Sequence, residues 1–192
     1  MEQKTLALCI SDGQQTIPYF IYMKVLVFGS SGSGKTYIVH ALQGKAIPVF
    51  DADEIRGVSA WYDKYGRKAP EPKNAADALN NQYSFRWSRK FLTAFLNTYS
   101  DVFIFGGSGN VFDILDLFDK VYFLKIDTET QRQRLQNAPD RNPDMDFKQD
   151  ELIVWGQWLE AEAMKNKIPF IDGTLTPLQV YSIICKNEKN QE

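Results

Sequence analysis

Cysteine and histidine are nearly missing from this chain of 192 residues, which has only Cys9, Cys185 and His40. So few ligating side chains, so far apart, exclude a Cys/His metal site by spacing. Two distant cysteines also exclude a disulfide scaffold and point to a reducing, cytoplasmic compartment, with both thiols read as packed side chains. No apolar run reaches membrane-spanning length, which argues against a membrane partner. The first residues carry Asp12 and Gly13 within their apolar part and have no strongly cationic start, a poor match to a signal peptide. There is no excess of positive charge: Lys plus Arg number 22 against 24 Asp plus Glu, a net charge of −2. That balance argues against bulk nucleic-acid binding, though not against a local basic pocket. Neither an internal repeat nor a second domain is seen.

What is present is Gly29-Ser30-Ser31-Gly32-Ser33-Gly34-Lys35-Thr36, a match to G-x-x-x-x-G-K-[ST] at every fixed position. Lys24 to Phe28 before it reads as a buried strand and Tyr37 to Leu42 after it as a helix. A Gly-rich turn between strand and helix aims successive backbone N–H groups inward at phosphate oxygens, and the helix N-terminus adds its positive dipole end. Gly29 to Thr36 is therefore the candidate ATP-binding segment. Lys35 has the reach for the β- and γ-phosphates, and the Thr36 hydroxyl can ligate Mg²⁺.

The remaining pattern alternates strands and helices. We expect 1–22 to be a dispensable extension with a short strand near Leu6–Ile10, Met23 being a possible natural start, and 187–192 a polar tail. Residues 23–186 read as one α/β domain. Ile47 to Phe50 forms a strand ending in Asp51-Ala52-Asp53, and open α/β sheets bind ligands off that edge. Trp61 to Pro72 reads as a loop over the site. From Asn74, the apolar residues Leu79, Tyr83, Trp87, Phe91 and Phe95 recur every fourth position and predict one long amphipathic helix. Asp101 to Phe105 is the third strand, running into Gly106-Gly107, and Asn110 opens a short helix to Leu117. Val121 to Ile126 is the fourth strand. Thr128 with Gln131 predicts a capping box, 137–146 a loop, and Asp146 with Gln149 a helix to about Lys167. Ile168 to Ile171 is a fifth, edge strand, and Thr176-Pro177 opens the last helix. The fold class is α/β: a three-layer P-loop NTPase fold with a five-stranded parallel sheet and helices on both faces.

The third strand ends in glycines rather than in an acid, and the acids follow the second strand. With the small size, this resembles the P-loop small-molecule kinases of the shikimate-kinase-like and adenylate-kinase-like (nucleoside or nucleotide kinase) group. The matching pieces are Asp51-x-Asp53, Phe85-Arg86, Gly106-Gly107, Val121-Tyr122-Phe123-Leu124 with Arg134-Leu135, Arg141-Asn142-Pro143 and Ile171-Asp172-Gly173-Thr174. The resemblance implies an ATP-dependent phosphotransferase acting on a hydroxyl or phosphate of a small metabolite. Within that class the alternative acceptor is a nucleoside or nucleotide; from another class, the chain would be a nucleotide-binding ATPase or switch. By the same resemblance Thr36 and Asp51 hold Mg²⁺, and Asp53 orients and deprotonates the acceptor. Arg86 and the Gly106-Gly107 backbone receive that acceptor, Arg134 joins the ATP site, and Arg141 swings in on a lid. Lys35, Asp53 and Arg141 are then the catalytic set. Arg89 and Trp155 stand where shikimate kinases keep an acid and an arginine, which argues against shikimate as the acceptor. His40 has no part in this chemistry, which needs no imidazole.

Overall fold

In a computed structural model of the chain, the described residues are 9–11, 16–18, 23–45, 47–137 and 149–186. A small hairpin pairs β1 (Cys9–Ser11) with β2 (Thr16–Pro18). There follow β3 (Lys24–Phe28), α1 (Lys35–Gln43), β4 (Val49–Asp51), β5 (Ser59–Tyr62), α2 (Ala75–Asn80), β6 (Ser84–Trp87) and α3 (Arg89–Leu96). The second half holds β7 (Val102–Gly106), a 3-10 helix (Val111–Leu117), β8 (Lys120–Lys125), α4 (Thr128–Gln136), α5 (Gln149–Lys165), β9 (Phe170–Asp172) and α6 (Pro177–Lys186).

The main sheet has the order β4-β7-β3-β8-β9 with every pairing parallel. Its strands are near-continuous apolar runs because both faces are covered. Alternation along each strand splits the interior in two. Val25, Val27, Phe103 and Phe105 pack on one face with Ile38, Val39 and Leu42 of α1 and with Val180, Tyr181 and Ile184 of α6. Leu26, Phe28, Val102 and Ile104 pack on the other with Leu92 and Leu96 of α3, Val111 and Ile114 of the 3-10 helix, and Leu159 and Ala163 of α5. This is the five-stranded, three-layer arrangement that the alternating pattern implies. The strand order reverses at β3, with β7 on one side and β8 on the other, and such a switch point opens a crevice beyond the strands' C-terminal ends. The loop leaving β3 into α1 sits there. No helix among the described residues is long and apolar enough to cross a membrane.

Three local expectations are corrected. The long helix from Asn74 is broken. Asn74 does cap α2, accepting from the Asp77 N–H at 2.9 Å, but the chain turns at Gln82 with φ 55°. Ser84 to Trp87 then pairs antiparallel with β5, so part of the expected loop 61–72 is a strand instead. The every-fourth-residue spacing misled because it also fits two short helices with a strand between them; Leu79 and Phe91 are exposed, not core. Second, α4 is capped one residue earlier than expected: Asp127 accepts from the Thr130 N–H at 2.9 Å, which releases Gln131 for another contact. Third, Asn110 makes no cap; its side chain pairs with the Trp87 backbone. The Thr176–Gln179 box holds, with Thr176 N–H donating to Gln179 Oε1 at 2.9 Å.

Candidate active site

The Gly29–Thr36 loop bends where its glycines allow. Gly32 and Gly34 take φ of 80° and 99°, values an L side chain rarely adopts. Ser30 and Ser33 are buried within the loop. Lys35 Nζ curls over it, donating to the carbonyls of Gly29 (2.9 Å) and Ser30 (2.8 Å) and to Ser33 Oγ (3.2 Å). Burial pushes the Lys35 ammonium down to about 8, against the opposing pull of the Asp51 and Asp53 charges.

The two acids arrive from β4. Asp51 is buried at the strand's end; its Oδ2 accepts from Thr36 Oγ1 at 2.8 Å and its Oδ1 from the Asp53 N–H at 3.1 Å. Asp53 Oδ1 accepts from Ser59 Oγ at 2.8 Å. Burial raises the Asp53 carboxyl above the ordinary carboxylate range, and the Asp51 charge adds to this; Ser59, Lys35 and the Trp87 indole work the other way. Lys35, Thr36, Asp51 and Asp53 thus form one electrostatic unit spanning α1 and the end of β4.

A hydroxyl and a carboxylate oxygen 2.8 Å apart are hard donors suited to Mg²⁺. No group of three or more His, Cys, Asp or Glu that could hold a metal occurs among the described residues.

Around this unit the other expected residues are placed unequally. Arg134 Nη1 reaches the carbonyls of Gly32 (3.4 Å), Ser33 (3.0 Å) and Gly173 (3.1 Å), tying the loop to the turn between β9 and α6. Arg86 lies on β6 opposite Ala60 and pairs with Asp113 at 3.5 Å. At the end of β7, a Cβ on Gly106 would lie 2.5 Å from Trp87 Cζ2, and one on Gly107 3.2 Å from the Gly29 carbonyl and 3.3 Å from Trp155 Cη2. The glycine pair therefore makes room for two indoles. Arg141 lies outside the described residues.

Sequence reasoning missed Ser59, set Trp87 on a helix, and gave Asn110 and Gln131 only capping roles. Gln131 is buried and its Nε2 donates to the Ser31 carbonyl at 3.0 Å, so α4 braces the loop. The available signal was the alternation Ser84-Phe85-Arg86-Trp87, which marks a strand rather than a helix.

No protein-family model matches the chain, and no curated protein matches it in sequence. Solved structures do. A deoxyadenosine kinase from M. mycoides with bound dATP superposes with a TM-score of 0.52 at 15% identity, covering 88% of this chain and all of that one (100%). A shikimate kinase from Acinetobacter baumannii gives a TM-score of 0.49 at 16% identity over 85% of this chain and 93% of its own. A gluconokinase from Sinorhizobium meliloti gives 0.47 at 13% identity over 88% and 97%. The five-stranded parallel sheet and the superposition on the M. mycoides enzyme together give this chain that enzyme's fold.

Proposed function

We propose that the chain is an ATP-dependent phosphotransferase that moves the γ-phosphoryl group of ATP to a hydroxyl or phosphate of a small metabolite. The observation that carries this reading is the convergence of Lys35, Thr36, Asp51 and Asp53 at the switch point of the sheet, where both carboxylates act on the Lys35 charge. A hydrolytic switch has little use for a second acid held apart from the Thr36–Asp51 pair; an acceptor does.

The Gly29–Thr36 backbone and Lys35 grip the polyphosphate, Lys35 trading its loop carbonyls for the β- and γ-phosphate oxygens. Thr36 and Asp51 would hold Mg²⁺, whose chemistry is to neutralise charge on the phosphate oxygens. Asp53 accepts the hydrogen bond of the incoming hydroxyl and takes its proton as the acceptor oxygen bonds to the γ-phosphorus. The bridging bond to the β-phosphate breaks, its electron pair leaving with ADP. Arg86, whose pairing with Asp113 is long at 3.5 Å, can exchange that aspartate for an anionic group on the acceptor. The Gly106-Gly107 segment lines the acceptor's approach between the two indoles. Arg134 serves the ATP site by fastening its loop. Arg141 supplies a positive charge to the transferring group. Cytoplasmic residence fits the use of ATP.

The test is ADP release with Mg-ATP alone and with deoxyadenosine, glucose or shikimate added. One acceptor should raise release well above the basal rate, and Asp53→Asn should lower the stimulated rate by roughly a hundredfold or more, the usual weight of a positioned base. No stimulation by any hydroxyl acceptor, with Asp53→Asn turning ATP over like the parent, overturns the reading.

A further inference from the structure

Ser59 and Trp87 stand opposite each other in the register of the β5–β6 hairpin, so their side chains leave the same face. That face looks onto Asp53. Ser59 Oγ sits 2.8 Å from Asp53 Oδ1 and 3.2 Å from the Ala52 carbonyl, and the Trp87 ring edge lies beside Gly106 together with Ala52, the residue before Asp53. The other charged groups facing Asp53 are Asp51 at the end of β4 and Lys35 on α1.

Trp87 is unusual in two respects. Its Nε1 is buried and has no hydrogen-bond partner. Its position is nevertheless over-determined: the ring edge fills the space beside Gly106 and Ala52, the backbone N–H donates to Asn110 Oδ1 at 2.8 Å, and the backbone carbonyl accepts from Asn110 Nδ2 at 3.0 Å. A dry donor left unpaired is costly, and native proteins rarely keep one without a use. Because Nε1 is shielded, its partner must be a neighbour that needs only a small shift.

We propose that Ser59 and Trp87 are positioning residues that hold the Asp53 carboxylate from two sides, the hydroxyl on Oδ1 and the indole N–H, a small shift away, on the same carboxylate. This rests on the reading of Asp53 as the group that orients the acceptor. One donor leaves a carboxylate free to swing about its Cβ–Cγ bond, whereas two fix its plane and aim its remaining lone pairs at the incoming hydroxyl, as a near-attack geometry requires. The hairpin's opposite face carries Ala60 and Arg86, so the two faces divide the work of aiming the acid and meeting the acceptor.

The test uses the full chain, with ¹⁵N-labelled tryptophan and no ligand for the spectroscopic arm. The Trp87 indole resonance, identified by its loss in Trp87→Phe, should move in Asp53→Asn and in Ser59→Ala. The kinetic arm uses Mg-ATP and whichever of deoxyadenosine, glucose or shikimate stimulates ADP release. Trp87→Phe and Ser59→Ala should each lower kcat about tenfold or more while the KM for ATP stays within about twofold, the pattern of a lost hydrogen bond to a charged group made in the transition state. Ser59→Thr, which keeps the hydroxyl, should recover most of the loss. An indole resonance identical in the parent and in Asp53→Asn overturns the proposal, as does a parental kcat in Trp87→Phe or in Ser59→Ala. If Trp87→Phe fails to fold, Ser59→Ala and Ser59→Thr decide the kinetics. Should Asp53→Asn keep stimulated release while the resonance still moves, the transfer reading is what fails. Should Asp53→Asn lose release while Ser59→Ala keeps it, the positioning proposal is what fails.

Discussion

Lys35 is drawn two ways: its own loop takes the ammonium out of water, and two carboxylates across the crevice keep it charged. The balance leaves it at about 8, below the ordinary lysine value. A group lowered in this way is partly neutral above that pH. A polyphosphate favours the ammonium and raises its value again, so binding ATP between about 8 and the raised value takes up a proton. Calorimetric titration of ATP at pH 8.5, in buffers of different ionisation enthalpy, should show net proton uptake that fades towards pH 7. Lys35→Ala should abolish the uptake and weaken ATP binding by about tenfold to a hundredfold, the worth of a charge-assisted hydrogen bond. Asp51 answers to a different measurement. Asp51→Ala removes one of the two oxygens suited to the ion and frees the Thr36 hydroxyl it accepts from, so the Mg²⁺ concentration needed for half-maximal activity should rise. An unchanged Mg²⁺ dependence would take Asp51 out of the metal's surroundings.

At the scale of elements, the β5–β6 hairpin brings Ser59 and Trp87 to the side of Asp53, and it is the part that sequence reading got wrong. The Gly29–Thr36 loop could be read because its signal is local: glycines, a lysine and a threonine at fixed spacing between one strand and one helix. The hairpin could not, because its partners are distant in sequence. Ser59 meets Trp87 across 28 residues, and Asn110 substitutes for a neighbouring strand at a separation of 23. The Gly106-Gly107 pair was read as the place where the acceptor approaches; the side chains packed beside it are Trp87 and Trp155. Gly106→Ala should therefore act as a packing change. A methyl 2.5 Å from a ring atom of a buried indole forces the ring or the strand to move, at a cost of about 1–3 kcal/mol for overpacking. A lowered melting temperature together with a shifted Trp87 indole resonance is expected. A melting temperature equal to the parent's would show that the hairpin yields at no cost.

Across the whole molecule, the Gly29–Thr36 loop is the place where distant parts of the chain are tied together. It leaves the central strand β3, accepts from Gln131 of α4 at the Ser31 carbonyl, and shares the Arg134 guanidinium with Gly173 beyond β9. One cation on three carbonyls of two loops makes the order of the phosphate loop depend on the turn before α6. A ligand that binds only the folded state stabilises it by RT ln(1 + [L]/Kd), about 2.7 kcal/mol at a hundred times Kd, and a domain of this size gains about 2–4 °C per kcal/mol. Mg-ATP at that excess should thus raise the melting temperature by roughly 5–11 °C. Arg134→Ala leaves the Ser33 and Gly173 carbonyls without their shared donor and loosens the loop, so ATP must order it on binding. At the same absolute ATP concentration the shift should then shrink to less than half. Arg134→Lys should fall between the two, because an ammonium can meet the carbonyls as a point charge but lacks the planar fork. A full shift in Arg134→Ala would mean that the loop holds its shape without help from the far edge of the sheet, and that the contact to Gly173 is incidental to nucleotide binding.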